Sequence, residues 1–317
     1  MTKNKNFISI IIPSFNEGQS INELLALLLE LKKRNEFKFE VIFVDDGSSD
    51  KTQQIIEKNS KIKELNFTYI KFFKNKGKTN SLVEGISKSS SEIIATIDAD
   101  LQDDPFEIFK LLKKLNEGYD FIVGKKFNRL DPLFSKKIPS FFFNKLIKIL
   151  FNIKISDINS GLKVFKKEIF YETHLTNDFH RLMPLIAHIN GYEVAEIPVN
   201  HKKRKYGKSK YGAMRIINGI NDMLYVLYLK YFSIKPLHFY GFIGVFFSVI
   251  SITTISYLFK EWISGNSIGD RPLLIFSVLS IITSIFSFMI GFLAQITYEN
   301  KNPDKYFKYK KIVKKYK

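Results

Sequence analysis

The sequence predicts an α/β domain, built as a mostly parallel sheet flanked by helices and followed by two transmembrane helices. Three observations carry that prediction. Short β-rich runs alternate with segments of helical period, each run ends in a polar or acidic stretch, and two long segments near the C-terminus contain no Asp, Glu, Lys or Arg.

The runs are "FISIII" (7–12), "FEVIFV" (39–44), "FTYIKF" (67–72) and "IIATI" (93–97). Between the first two, the leucines of "SINELLALLLELKKR" recur at helical spacing, and "KTQQIIEKNSKI" follows the second with the same period. Strands alternating with helices imply parallel pairing with both faces covered, and ligands of such sheets bind at the carboxyl ends of the strands. Those ends read "PSFNE" (13–17), "DDGSSD" (45–50), "NKGKTNS" (75–81) and "DADLQDD" (98–104). No Gly-x-Gly-x-x-Gly follows the first run, which argues against a dinucleotide-binding unit. "GKT" at 77–79 is not a phosphate loop, because Phe72 stands where its first glycine belongs.

Within "TIDADLQDDPFE" (96–107) the acids divide by position. Asp98 and Asp100, one residue apart at the end of an extended run, are expected on one face. Paired carboxylates repel unless a cation lies between them, and Mg²⁺ or Mn²⁺ bridging to a diphosphate suits the pair, with Gln102 expected to add a neutral oxygen or a water-mediated contact. Asp104, Pro105 and Glu107 read as the N-cap, first position and capping-box acid of a helix over "FEIFKLLKKL", with Asp103 in the same turn facing solvent.

The apolar segments are "LHFYGFIGVFFSVISITTISYLF" (237–259) and "PLLIFSVLSIITSIFSFMIGFLAQI" (272–296), each long enough to cross ~30 Å of hydrocarbon. The loop between them balances two bases against two acids, whereas "KNPDKYFKYKKIVKKYK" after them holds eight lysines and one Asp. The positive-inside rule then makes the tail cytoplasmic, and two crossings return the N-terminal domain to the same side. "MTKNKNFISIIIPSFNE" lacks the apolar core of a signal peptide, so export is not expected. The organisation expected is a cytoplasmic catalytic domain over 1–232, a two-helix membrane domain over 233–300, and a basic cytoplasmic tail over 301–317, in a multi-pass protein of the cell (inner or plasma) membrane.

With 49 Lys and Arg against 31 Asp and Glu, the net charge of +18 points to a polyanionic partner. No cysteine is present, which excludes disulfides and thiolate metal sites. The basic segments at 124–151, 201–210 and the tail carry no zinc-finger, RRM-type or helix-turn-helix pattern, and beside two membrane spans they argue against nucleic acid. "PSFFFNKLIKILFN" (139–152) and "GAMRIINGINDMLYVLYLKYF" (212–232) read instead as amphipathic helices lying in the headgroup plane, where cations meet lipid phosphate.

"IIPSFNE", "VDDGSSDKT", "NKGKTNSLVEGI" and "DADLQDDPFE", in this order, resemble the inverting family 2 glycosyltransferases with a GT-A fold, a nucleotide-diphospho-sugar transferase architecture. "GYEVAEIPVNHKKRKYGKSKYG" (191–212), followed by "KPLHFYG" and two spans, resembles the dolichol-phosphate mannose synthases and bacterial polyprenyl-phosphate glycosyltransferases. The match extends over nearly the whole chain.

That resemblance implies a nucleotide-sugar donor, a polyprenyl-phosphate (dolichyl or undecaprenyl) acceptor, a divalent cation and a membrane setting, and is compatible with a homo-oligomer. It implies that Pro13, Phe15, Glu17, Val44, Asp45 and Asp46 line the base and ribose pocket, with Ala99 passing close to the ribose. Asp98, Asp100 and Gln102 would hold the metal, and Asp100 and Asp157 would be catalytic. Lys126 stands at the first of two positions where family arginines meet phosphate and is assigned to the donor. Lys136 or Lys137 at the second, with Arg129 and Ser140, is assigned to the acceptor phosphate. Arg204, Ser209 and Lys210 would close over the pyrophosphate. Lysine at the arginine positions keeps charge but loses the bidentate fork. Around Asp157, "SGLK" replaces the usual Ser-Gly-Phe-Arg. Each pocket residue has a structural alternative as a turn, cap or packing residue, and Arg181 has one as an internal ion-pair partner.

The implied reaction is inverting transfer of a hexose, from a GDP-mannose or UDP-glucose type of donor, to give a lipid-monophosphate sugar for envelope glycan or glycoprotein synthesis. A processive polysaccharide synthase would need Gln-x-x-Arg-Trp before the membrane segment, and the only tryptophan, Trp262, lies between the spans. An inactive membrane scaffold or lipid-binding protein on the same fold would be expected to have lost the Asp98–Asp100 pair.

Overall fold

The computed structural model describes residues 7–34, 36–127, 147–148, 150–173, 179–202, 205–206, 214–232 and 235–301. Seven strands form one sheet: β1 (Phe7–Ser14), β2 (Lys38–Asp45), β3 (Phe67–Lys71), β4 (Ile93–Thr96), β5 (Phe121–Phe127), β6 (Lys163–Lys166) and β7 (Val194–Asn200), in the order β3-β2-β1-β4-β6-β5-β7. β1 pairs in parallel with β2 and β4, β2 with β3, and β5 with β7, while β6 runs antiparallel between β4 and β5. The first four strands lie where the β-rich runs predict them. β5, β6 and β7 were not anticipated as strands.

Helix α1 (Gly18–Arg34) buries Ile21, Leu24, Leu25, Leu28 and Leu31, one apolar stripe at helical spacing. Its last turn carries Lys32, Lys33 and Arg34, which favour the negative end of the helix dipole. α2 (Thr52–Lys58) and α3 (Lys78–Lys88) follow β2 and β3. A Cβ on Gly85 would meet Ile11 at 2.5 Å, so glycine is what lets α3 lie this close to the sheet. Helix α4 (Ile108–Asn116) buries Ile108, Leu111, Leu112 and Leu115. Each fully buried Leu or Ile contributes about 1.5–3 kcal/mol. The shared core joins these helical stripes to Ile8, Ile10, Ile12, Val41 and Phe43 of the central strands.

Asp104 caps the turn ahead of α4 through Phe106 N–H at 3.1 Å, with Pro105 next to it, as expected. Glu107, however, serves Asn200 on β7 (2.9 Å) and Lys110 (2.7 Å). Asp103 departs from its solvent-facing assignment: it is 3 % exposed, bridges to His201 and accepts from its Nδ1 at 3.0 Å. α5 (Lys167–Thr173), α6 (Met183–Ile189) and α7 (Met214–Tyr231) complete the helices before the apolar segments.

The chain divides into two compact units, residues 1–222 and 223–317. In the second, α8 (Pro236–Ile263) and α9 (Pro272–Lys301) pack as an antiparallel pair along small and hydroxyl residues. Ser248 meets Ser284 at 2.6 Å, Ser277 donates to Thr254 at 2.7 Å, Ser284 donates to the Gly244 carbonyl at 2.9 Å, and Gly244 faces the Phe288 ring. Such close approach of small residues is how helices associate where water supplies no hydrophobic drive. Phe242, Phe246, Ile252, Ile275, Phe286 and Leu293 stay exposed on the outside of the pair, unlike the side chains of core helices in a soluble domain. Both helices are long and apolar enough to cross a membrane.

Candidate active site

Every parallel strand delivers its carboxyl end to one edge of the sheet, and antiparallel β6 brings its first residue there, because Lys163 pairs with Thr96 and Val123. Among the described residues, those expected to do chemistry therefore come to this edge although they lie in distant parts of the chain.

Pro13 and Val44 are register partners in β1 and β2 and are buried, whereas Phe15 and Glu17 are partly exposed on the loop above them. That loop is tied to the one after β2. Asn16, at φ 53°, donates its backbone N–H to Ser48 Oγ (2.8 Å), and its side-chain oxygen accepts from Ser49 N–H (2.9 Å). Asp50 binds the N–H groups of Gly18 and Thr52, both at 3.0 Å, and so serves the starts of two helices. Asp45 is buried and accepts from Ser48 N–H and Tyr69 Oη, each at 2.8 Å. Burial and the Asp45 carboxylate hold the Tyr69 phenol well above its ordinary range. Asp46 accepts from the N–H groups of Lys76 (2.7 Å) and Gly77 (2.9 Å), joining the β2 loop to the start of α3. Burial raises its pKa, the two N–H groups oppose that, and Asp45 adds to it. Both aspartates thus tie together the loops at this edge of the sheet.

β4 stops at Thr96, so Asp98 and Asp100 lie beyond the strand, in a turn with Leu101 at φ 63°. Asp98 forms an ion pair with Lys78, the first residue of α3. Burial would raise its pKa, but Lys78, Lys126 and Lys163 outweigh that and lower it, so Asp98 stays ionised. Gly161 backs it: a Cβ there would lie 2.7 Å from Asp98 Cγ. Asp100 is 5 % exposed and accepts from Gln102 N–H at 3.1 Å. Gln102 turns towards the segment after β7, with its amide 3.4 Å from His201 Nε2 and its carbonyl accepting from Lys202 N–H at 2.8 Å. Ala99 is buried beneath the turn. Two hard carboxylates here, one already engaged by an ammonium, have the chemistry of a divalent-cation site.

Lys163 is 3 % exposed and donates to the His180 carbonyl at 2.7 Å, while His180 Nδ1 lies 2.8 Å from Thr79 Oγ1. Burial, and then Lys78, push its pKa down to about 7 against the pull of Asp98 and Asp157. Asp157 is 3 % exposed and accepts from Lys126 N–H at 3.4 Å. The structure therefore gathers Asp98, Asp157, Lys78, Lys126 and Lys163 into one electrostatic group. Arg129, Lys136, Lys137, Ser140, Arg204, Ser209 and Lys210 lie outside the described residues, as do most of the helix expected over 139–152 and the tail after Lys301.

The model of glycosyl transferase family 2 matches residues 9–173, more than half of the chain and the whole of this edge except β7. The chain belongs to this family. A dodecaprenyl-phosphate galacturonate synthase of Rhizobium johnstonii is 32 % identical over 293 residues, covering 91 % of this chain and 87 % of the relative. An undecaprenyl-phosphate 4-deoxy-4-formamido-L-arabinose transferase of Proteus mirabilis is 30 % identical, covering 78 % and 73 %. Among solved structures, a glucosyl-3-phosphoglycerate synthase of Mycobacterium tuberculosis, in complex with Mn²⁺, uridine diphosphate and phosphoglyceric acid, superposes with a TM-score of 0.57. It is 16 % identical and covers 70 % of this chain and 78 % of that one. A mannosyl-3-phosphoglycerate synthase of Rubrobacter xylanophilus gives 0.56 at 14 % identity, covering 71 % and 74 %. These likenesses establish the GT-A fold.

In this family 2 glycosyltransferase, sequence reasoning missed Lys78, Gly161, Lys163 and His180 as site residues. "NKGKTNS" and "SGLK" were both noted as segments, but nothing local separates a lysine that turns inward from one that faces water. Burial of Lys163 follows from β6 lying between β4 and β5, a pairing that no periodicity announces.

Proposed function

We propose that this glycosyltransferase moves a hexose from a nucleoside-diphosphate sugar to a polyprenyl phosphate at a membrane surface, with inversion at the anomeric carbon. The observation that carries the reading is the Asp98 carboxylate set among Lys78, Lys126 and Lys163 at the edge of a GT-A sheet, in a chain that also holds two helices long enough to cross a membrane. Similarity to two polyprenyl-phosphate sugar transferases over most of the chain supports the lipid acceptor. An inactive scaffold finds no support, since Asp98 is kept ionised and backed by a glycine that leaves room for it.

The acceptor phosphate is anionic at neutral pH, so catalysis rests on orientation and on stabilising the leaving nucleoside diphosphate. Asp98 and Asp100 would hold a Mg²⁺ or Mn²⁺ ion, which supplies charge neutralisation on the donor diphosphate. Lys126 and the basic segment with Arg204, Ser209 and Lys210 would bind the donor phosphates. Asp157 would orient the acceptor or the sugar hydroxyls, with Arg129, Lys136, Lys137 and Ser140 on the acceptor phosphate. Pro13, Phe15, Glu17, Val44, Asp45 and Asp46 would shape the base and ribose pocket. Both termini and the catalytic domain would be cytoplasmic, following the lysine-rich tail.

The test is to incubate membranes from an expressing strain with labelled GDP-mannose, UDP-glucose, a UDP-N-acetylhexosamine and UDP-galacturonate, and to extract lipid. One donor should label a mild-acid-labile lipid in the wild type and not in Asp98→Asn or Asp100→Asn, both of which should fold normally. No labelled lipid from any donor would reject the reaction. Wild-type activity in either variant under saturating metal would reject the metal assignment.

A further inference from the structure

Glu196 lies on β7, opposite Val123 of β5, and belongs to none of the groups assigned to donor, metal or acceptor. Its side chain is only 16 % exposed and nearly all its hydrogen-bonding capacity is spent on one loop. The carboxylate accepts from Ser156 N–H at 2.6 Å, from Asp157 N–H at 3.3 Å and from Ser156 Oγ at 2.8 and 3.0 Å. Lys125 Nζ completes the set at 3.2 Å. On the other side of the loop, the Asp157 carboxylate accepts from Lys126 N–H at 3.4 Å. Asp157 is therefore held twice, its backbone by Glu196 of β7 and its side chain by the backbone of β5.

We propose that Glu196 is a positioning residue for Asp157, setting the orientation of that carboxylate from beneath the loop without touching either substrate. The proposal rests on the active-site reading of Asp157 given above. A loop held only by turn geometry leaves its N–H groups to water, whereas here two consecutive N–H groups converge on one carboxylate in a part-buried setting. Charge-assisted bonds of that kind are roughly twice as strong as neutral ones. Glutamine at 196 would keep the volume but turn an NH₂ donor towards groups that are themselves donors. Aspartate would keep the charge on a shorter stem.

The experiment compares Glu196→Gln, Glu196→Asp, Asp157→Asn and the Glu196→Gln/Asp157→Asn double variant of the full chain in detergent, measuring kcat and KM for each substrate, nucleotide binding by calorimetry, and Tm. Glu196→Gln should lower kcat about 10–100-fold, the scale of a small misplacement, with donor affinity changed less than about threefold, a range set by the additivity expected of independent sites. Glu196→Asp should retain more activity than Glu196→Gln. Because Glu196 acts through Asp157, the double variant should be no slower than Asp157→Asn alone. Wild-type kcat in Glu196→Gln, multiplication of the two losses in the double variant, or better retention by Gln than by Asp would each overturn the proposal. Full activity in Asp157→Asn would instead remove the reading of Asp157 on which it rests.

Discussion

Gly161→Ala isolates the placement of Asp98 from its chemistry. The added methyl carbon would lie 2.7 Å from Asp98 Cγ and Oδ2 and 2.9 Å from Oδ1. Carbon atoms in contact prefer about 3.5–4.0 Å, so one partner has to move by roughly 1 Å. The glycine backbone is restrained, because Thr96 Oγ1 donates to the Gly161 carbonyl at 2.8 Å, and β6 begins two residues later. The Asp98 side chain is the softer partner and rotates away, weakening its pair with Lys78. That pair is a quarter to a third exposed, so its loss costs no more than about 1 kcal/mol of stability. Misplacing a reacting group by ~1 Å costs about 10²-fold in rate. The expected variant therefore folds with nearly wild-type Tm, loses about two orders of magnitude in kcat, and needs more Mn²⁺ to reach half-maximal transfer. The assay is labelled lipid formation at saturating donor, with a Mn²⁺ titration on both proteins. Wild-type kcat together with an unchanged metal requirement would refute the placement of Asp98 in the reaction.

Lys78→Met removes the ammonium that engages Asp98, so binding of Mn²⁺ alone, followed by electron paramagnetic resonance, should tighten roughly fivefold, equivalent to about 1 kcal/mol; weaker binding would show that Lys78 supports the metal instead of competing with it. Lys163→Met should flatten the dependence of Tm on pH in metal-free buffer. Folded Lys163 releases its proton near pH 7 and the unfolded chain near 10.5, so the unfolded state binds more protons between those values and stability rises with pH across that window; an equal slope in both proteins would contradict the burial of a depressed lysine. Gly244→Leu puts a side chain where a Cβ alone meets the Phe288 ring at 2.7 Å, and should weaken the α8–α9 pair by about 1–2 kcal/mol in detergent unfolding; unchanged stability would mean the helices do not pack along that stripe.

The parts of this protein that were legible in its sequence are those whose signal is local. Leucines at helical spacing announced α1, and continuous apolar runs announced β1 and β2, because burial on both faces leaves no alternation to read. The two apolar helices were legible from length and charge alone. β6 was not, since "KVFK" is four residues with a lysine at each end and owes its place to β4 and β5, far away along the chain. Asp103 was read as solvent-facing because its partner, His201, comes from the far end of β7.

Asp98 and Asp100 show the same limit at the centre of the site. Strand parity put them on one face, but β4 ends at Thr96 and parity has no hold on a turn. Asp100 folds back onto Gln102 N–H, while Asp98 leans to Gly161 and Lys78. What joins them is the turn itself, closed by Leu101 in the left-handed region and stitched to Lys202 through the Gln102 carbonyl. The acids that sequence order groups together are thus sorted by partners from β6, β7 and α3. Since those partners include Lys78, Lys163 and Gly161, substitutions well outside the acidic motif should alter its chemistry as strongly as changes within it.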